Sequence, residues 1–303
     1  MGESRGLVRD SVRAGGFPVG ARVVQFAVLA CVALAVAAGA AQVGSAVPAA
    51  SSSFAVYLVR GEHVAPVRRL VPRTPAVARA ALAGLLRGPT TAERRAGYAS
   101  AIPSGTTLRG VSLVRGVVTV DLSGRFQAGG GSLSMLLRVA QVVYTATQFP
   151  SVERVAFRLN GRPVEAIGGE GVIVAPSVAR PAFEAQAPPI LVEEPLPGDR
   201  VGRPVVVRGT ANVFEALLFV DVVTPTGTLV AHRSVLASAG TGTRGGFNVR
   251  IPLSVPLTRI VVVAYARSPK NGVRIDVVRV PVTLADGNSA TRGASARVAT
   301  ASR

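Results

Sequence analysis

Residues 117–161 read VVTVDLSGRFQAGGGSLSMLLRVAQVVYTATQFPSVERVAFRLNG, and this stretch decides the fold of the first half of the chain. Val117–Leu122 alternates as a half-buried strand does. Gly129-Gly130-Gly131-Ser132 then leads into a helix. In it Leu133, Leu136/Leu137, Ala140, Val143/Tyr144 and Thr147 keep a helical period until Phe149-Pro150 ends it. Val155, Phe157 and Leu159 alternate again and run into Asn160-Gly161, a pair suited to the left-handed conformations of a tight hairpin turn.

Working outward, Thr107–Val114 reads as the partner of Val117–Leu122 around Arg115-Gly116. Thr74-Pro75 opens an earlier helix, with Thr as N-cap and Pro at the first helical position. Val77, Ala81 and Leu85, beside Ala78 and Leu82, give that helix one buried face, and Gly88-Pro89 stops it. Before it lies the alternating strand Phe54–Val59. The order strand–helix–strand–strand–helix–strand–strand predicts an α+β block over 54–175, with two helices on a small sheet.

Residues 176–189 (PSVARPAFEAQAPP) are Pro/Ala-rich and read as a linker. No helical period follows. Apolar strands are expected at 190–192, 204–208, 217–223, 228–235, 247–251, 260–265 and 275–284, with turns at Pro225-Thr226-Gly227 and Lys270-Asn271-Gly272. Seven short strands predict an immunoglobulin-like β-sandwich over 190–285, of a kind lacking the Cys…Trp…Cys core. Phe214 is expected to fill that core, and Glu215 to bond backbone at the strand start. The Ser/Ala/Thr/Arg-rich stretch 286–303 is expected to be a disordered tail.

At the other end, Arg5, Arg9, Arg13 and Arg22 precede Val23–Ala41, an almost unbroken apolar run, and the next charge after Arg22 is Arg60. A basic stub (1–22) before an apolar segment long enough to span a bilayer (23–41) reads as a membrane anchor or signal peptide with the basic side cytoplasmic. Ala38-Gly39-Ala40 offers a small-x-small cleavage site, and Val28-Leu29-Ala30-Cys31 loosely resembles a lipobox that would lipidate Cys31. Residues 42–53 (QVGSAVPAASSS) then read as a flexible tether. Everything beyond is expected to be extracytoplasmic.

The 303 residues carry a formal charge of +18, and of 34 basic residues only Lys270 is lysine. Scattered arginines in a chain rich in Ala, Gly and Val follow the codon bias of a GC-rich genome, so no nucleic-acid partner is expected. An arginine-rich face gripping anionic wall polymers or lipid head groups is the alternative. Cys31 is the single cysteine, and His63 and His232 are the only histidines. That excludes an intrachain disulfide and leaves Cys–His catalysis and ordinary zinc chemistry without residues.

The remaining motifs point away from catalysis. Gly240-Thr241-Gly242-Thr243-Arg244-Gly245 has the letters of a dinucleotide fingerprint, but a strand rather than a helix follows it, so an inter-strand loop is expected. Gly129–Gly131 precedes a helix and could form an anion-binding nest. Adjacent Glu193 and Glu194 should face opposite sides of a strand. Asp121 and Ser123 should cap a turn. His63 reads as a surface loop residue, and no acid–Ser partner can be placed near His232. No cofactor, metal or catalytic residue is expected.

Residues ~54–172 resemble the GerMN domain of bacterial sporulation and spore-germination proteins. The resemblance lies in Val118-Thr119-Val120-Asp121-Leu122-Ser123 with Phe126, in Thr147-Gln148-Phe149-Pro150, and in Val152 through Asn160-Gly161 to Val164-Glu165. Residues ~190–284 resemble the immunoglobulin-like domain of bacterial spore germination. There it rests on Glu194-Pro195-Leu196-Pro197-Gly198, Val205–Ala211, Asn212-Val213-Phe214-Glu215 and Gly245-Gly246-Phe247. The resemblance implies a membrane- or lipid-anchored envelope protein without known catalytic residues, binding partner proteins or cell-wall polymer. An enzyme or enzyme accessory acting on wall glycan is the alternative.

Overall fold

A strand with an unpaired edge must satisfy its backbone N–H and C=O groups in some other way, and this requirement organises the first block. The computed structural model describes residues 51–285 apart from Glu170 and Val255. The elements of the first block are β1 (Ser51–Arg60), β2 (His63–Pro72), α1 (Val77–Leu86), α2 (Thr91–Arg95), β3 (Tyr98–Ala99), β4 (Leu108–Val114), β5 (Val117–Leu122), α3 (Ser132–Ala146), β6 (Arg154–Leu159), β7 (Arg162–Pro163), β8 (Ala166–Ile167) and β9 (Val172–Ile173). β1 pairs with β2 along its full length, but its other edge meets β3 only at Val59 and Arg60.

Side chains from the end of α3 take the place of the missing strand. Thr145 Oγ1 accepts the Tyr57 N–H (3.0 Å), Gln141 Nε2 donates to the Tyr57 carbonyl (2.9 Å), and Gln148 bonds both backbone groups of Ala55. Positions 141, 145 and 148 recur at helical spacing, so one face of the segment presents all three polar groups to the strand.

The sequence expectation holds around α3. β4 and β5 pair across Arg115-Gly116, both at positive φ, and β5 runs parallel to β6 through the α3 crossover. The second sheet has the order β4-β5-β6-β7. Phe126 and Phe157, both buried, stack at 6.1 Å within the core that Val118, Val120, Val139 and Val143 share.

Four expectations for this block are corrected. Ser51–Ser53, read as the end of the tether, already belong to β1, and the rest of it lies outside the described residues. His63 is not in a loop but opens β2, a strand absent from the sequence reading because Val67-Arg68-Arg69-Leu70 breaks the alternation. Helix α1 begins at Val77, since the Thr74 hydroxyl accepts the Ala76 N–H and forms a turn before the helix. Finally, 176–189 is packed rather than a free linker. Val178 exchanges two backbone bonds with Val155, residues 180–186 form a 3₁₀ segment, and Phe183 (2% exposed) and Ala187 enter the core against α3. Three apolar side chains at irregular spacing suffice to dock a segment that shows no period.

The second block contains β10 (Ile190–Glu194), β11 (Arg200–Val201), β12 (Val205–Ala211), β13 (Leu217–Val223), β14 (Leu229–Leu236), β15 (Gly245–Ile251), β16 (Arg259–Arg267) and β17 (Arg274–Leu284). They form two sheets, β10-β12-β15 and β11-β17-β16-β13-β14, around a core that includes Val205, Val207, Val220, Val262 and Phe247. All seven expected strands are present, with β11 added. Phe214 is a correction: it is 53% exposed. Glu215 and Ala216 both adopt left-handed conformations (φ 54 and 57) in the turn before β13. There Val213 is buried instead, and the Glu215 N–H donates to Thr241 Oγ1.

Among the described residues no helix is long and apolar enough to cross a membrane. The apolar run 23–41, Cys31, the basic stub and the tail 286–303 lie outside the described residues.

These positions give the buried-aromatic role expected of Phe214 to Phe183 instead. Phe183→Ala should cost about 3–5 kcal/mol, as for a buried aromatic. Phe214→Ala should stay within about 0.5 kcal/mol. Thermal melts of the two variants beside the wild type check the contrast.

Candidate functional site

The two blocks belong to one compact unit, and the densest polar chemistry of the described chain lies where they meet. Leu191 and Leu196, from the second block, complete the core of the first. Around this apolar seam stand three arginine–carboxylate pairs. Arg68 on β2 grips Asp199 through Nε and Nη2 (3.0 and 2.5 Å), a bidentate geometry that fixes orientation as well as charge. Arg244, before β15, holds Glu184 of the 3₁₀ segment (2.8 Å) and also donates to the Pro188 carbonyl.

Arg180 is the third. Its Nη1 donates to Glu193 (2.8 Å), its Nε to Thr147 Oγ1 (2.9 Å), and its Nη2 to the Tyr144 carbonyl (3.3 Å). Its guanidinium lies 4.7 Å from the Tyr144 ring centroid and 5.5 Å from that of Tyr57, within cation–π range of both. Tyr57 completes the group by donating its hydroxyl to Glu193. Burial, followed by the charge of Glu193, pushes the Tyr57 phenol well above its ordinary value, so it stays neutral, donating to Glu193 and accepting from Arg180 Nη2 (3.4 Å). Burial opposes the Arg180 charge, but the pull of Tyr57 and Glu193 outweighs it and raises the arginine's pKa.

Glu193 and Glu194 do not diverge as a regular strand would require. A register shift between Val192 and Glu194 bulges β10, and both glutamates line one cleft of about 380 Å³ with Arg68, Arg180 and Arg208. A bulge re-aims side chains in this way. Each carboxylate is matched to its own guanidinium, with Arg208 3.4 Å from Glu194. The ionisable side chains of the cleft are committed to one another, which leaves none of them as an unpaired acid or base.

The other singled-out residues divide clearly. Asp121 Oδ1 accepts the Gly161 N–H (2.9 Å) and Ser123 Oγ accepts the Thr107 N–H (3.0 Å), so both tie down turns. The Gly129–Gly131 loop wraps a side chain of its own: buried Arg138 donates to the carbonyls of Phe126 (2.6 Å) and Gly129 (3.1 Å). Burial pulls the Arg138 pKa down, and a Cβ on Gly130 would meet Ser134 Oγ at 2.8 Å. Residues 240–244 lie in the loop between β14 and β15, with the Gly242 N–H donating to Asn212, and Gly245 already opens β15.

His232 is a correction. Its Nδ1 sits 2.6 Å from Asp221, a buried carboxylate (1% exposed) that Arg274 also approaches at 2.9 Å, and Phe219 stacks on the imidazole. The pairing crosses from β13 to β14 in register (Asp221↔His232), which only strand alignment could reveal. Among the described residues no hydroxyl or thiol bonds the ring, and no group of three or more metal-ligating side chains occurs.

Comparison with known families places this geometry. The profile described as "Sporulation and spore germination" matches residues 55–165, and that of the "Immunoglobulin-like domain of bacterial spore germination" matches 189–273. The chain carries both domains. The 189 boundary falls inside the packed junction, so the GerMN domain extends its core into the germination immunoglobulin-like domain.

Among solved structures the chain is similar to the first GerMN domain of the sporulation protein GerM from Bacillus subtilis, at 24% identity and a TM-score of 0.36, covering 43% of this chain and 98% of that one. The tandem GerMN domains of the same protein match at 16% identity and 0.39, covering 68% and 63%. A putative lipoprotein from Clostridium perfringens matches at 15% and 0.34, covering 45% and 93%. No curated protein matches.

The Arg180 cage generates a stability prediction. Arg180→Met leaves Glu193 and the Tyr57 hydroxyl without their cation and should cost about 3 kcal/mol, the low end for breaking a buried pair. Replacing the whole cage by apolar groups, Tyr57→Phe/Arg180→Met/Glu193→Leu, should recover most of that loss. Denaturant titrations of the single and triple variants measure the difference.

Glu184 sets a pH dependence. Burial would raise its pKa, but hydrogen bonds from Arg244 and Asn212 outweigh this and hold the carboxyl below the usual range. The stabilisation from that pair is therefore complete above the ordinary glutamate value of about 4.3 and disappears as pH falls through the lower folded value. Melting midpoints followed below pH 5 should drop less steeply for Glu184→Gln than for the wild type.

Proposed function

We propose that this chain is a non-enzymatic, membrane-anchored protein of the bacterial envelope whose GerMN and immunoglobulin-like domains stand outside the cytoplasm and bind partner proteins or cell-wall polymer. The observation that carries the reading is the succession of two sporulation and germination domains, in this order, behind an Arg-flanked apolar run at 23–41. Binding rather than turnover is supported by the chemistry of the junction. Glu184, Glu193, Glu194 and Asp199 each face an arginine there, and the pairs of Glu184, Glu193 and Asp199 tie the immunoglobulin-like domain to the GerMN domain and its packed segment.

The anchor reading follows from charge asymmetry: four arginines precede the apolar run and none follows until Arg60. A reporter enzyme that works only outside the cytoplasm, fused after Arg303, should be active in cells. Activity from a reporter that works only inside, fused at the same place, would overturn the topology.

A further inference from the structure

The β1 edge is covered by α3, and three other strand edges meet at the domain junction. β2 and β10 are terminal strands of their sheets, and β17 is paired on its outer side only at Thr283 and Leu284, through β11. All three converge. Residues 63–66 of β2, 190–192 of β10 and 277–280 of β17 line one cleft of about 350 Å³ between the domains. The free edge of β17 has defined ends: Asp276 (φ 55) bulges the strand at one, and the Gly198 N–H bond to the Pro281 carbonyl closes it at the other. Four residues, about 13 Å of strand at ~3.3 Å each, lie between.

The walls are apolar, and the stripe continues outward through Ile275 (38% exposed) and Val277 (46% exposed). The charged side chains lining the cleft itself are arginines, while Asp276, at the end of the β17 edge, interacts with His63. Arg60 and Arg279 line the cleft, and neither makes an ion pair among the described residues, whereas Arg68, Arg180, Arg208 and Arg244 at the same junction each hold a carboxylate. Arg60 rests on the Tyr98 ring, 5.5 Å from its centroid.

We propose that this cleft receives an extended, acidic segment of a partner protein, added as a strand along residues 277–280 of β17 with its carboxylates against Arg60 and Arg279. β17 is the receiving edge because β10 is buried at 190–192 and Pro66 removes a donor from β2. Main-chain bonds supply affinity in such additions, and the flanking side chains supply selectivity. The chain's own ends fit poorly: the stretch 286–303 carries three arginines and one aspartate, and the chain as a whole is +18, so charge opposes self-insertion. The proposal rests on the binding reading above and names the class of partner.

The test uses the full chain in neutral detergent and a fluorescent hexapeptide, acetyl-Val-Glu-Val-Glu-Val-Glu-amide, followed by anisotropy. The peptide should bind and weaken with salt. Binding should fall at least tenfold for the Arg60→Glu/Arg279→Glu double variant, and similarly when alternate peptide amides are N-methylated, which removes strand donors. The Lys-for-Glu peptide should not bind. No binding of the acidic peptide, or binding indifferent to N-methylation or to the double variant, overturns the proposal. So does dihexanoyl phosphatidylglycerol that displaces the peptide, binds more tightly than it and loses that binding in the double variant, since the occupant would then be a lipid.

A photoreactive residue placed at Val277, Leu133 or Leu236 in cells separates this from the broader reading. Crosslinked partners at Leu133 or Leu236 but none at Val277 would leave the protein a binder and reject the cleft. Crosslinks at no position would reject both.

Discussion

The constraint on which the structure rests is the hydrogen-bonding demand of strand edges. A sheet edge left bare in a folded domain has to be covered, paired or kept short. Here β1 is covered by side chains rather than by another strand: Gln141, Thr145 and Gln148 occupy the backbone groups of Ala55 and Tyr57. That arrangement fixes α3 against β1 in both register and rotation. It also places Tyr144, one turn from Gln141 and Gln148, beside Tyr57, with ring centroids 5.5 Å apart. The two tyrosines then make the slot into which Arg180 fits. The domain junction is thus a consequence of how the first domain closes its own sheet.

The junction combines apolar burial with charge. Leu191 and Leu196 bury apolar surface against the GerMN core, the dominant favourable contribution in association. The arginine–carboxylate pairs add orientation more than energy, since withdrawing ions from water offsets much of their attraction. Three pairs at separate points define one mutual geometry of the domains, because a shift that relieves one would break another.

Much of the fold was legible in the sequence, for identifiable reasons. β4, β5, α3 and β6 declare themselves through period and punctuation: Arg115-Gly116 and Asn160-Gly161 adopt the positive φ values that such pairs favour. The seven sandwich strands did so as well, as apolar runs between turns. Helix α2 carried a readable signal, the capping box Thr90–Glu93, which is present in full. What the sequence could not display depends on long-range placement. The packing of 176–189 rests on three apolar residues without a period. Phe214 looked like a core residue by type, yet a left-handed turn takes it outward. The Asp221–His232 pair and the shared cleft of Glu193 and Glu194 arise from strand register and a bulge, neither of which leaves a mark in one chain's residues.

Rigid coupling of the domains has a consequence for recognition. Each wall of the cleft at β2, β10 and β17 comes from a different strand, and the walls belong to two domains. Were 176–189 a free tether, those walls would move independently, and any ligand would have to order them at its own expense. Fixing rotors and relative domain motion on binding costs affinity, and a preformed site avoids much of that cost. The paired arginines perform that service in the folded chain before any ligand arrives. Arg60 and Arg279, without ion pairs among the described residues, line the same groove from β1 and β17. In a chain with 34 basic residues against 16 acidic ones, most positive charge is spread over solvent, where salt screens it within about 10 Å. Charge placed along the walls of a groove acts directly on whatever enters it, so position rather than net charge decides which arginines can select a partner.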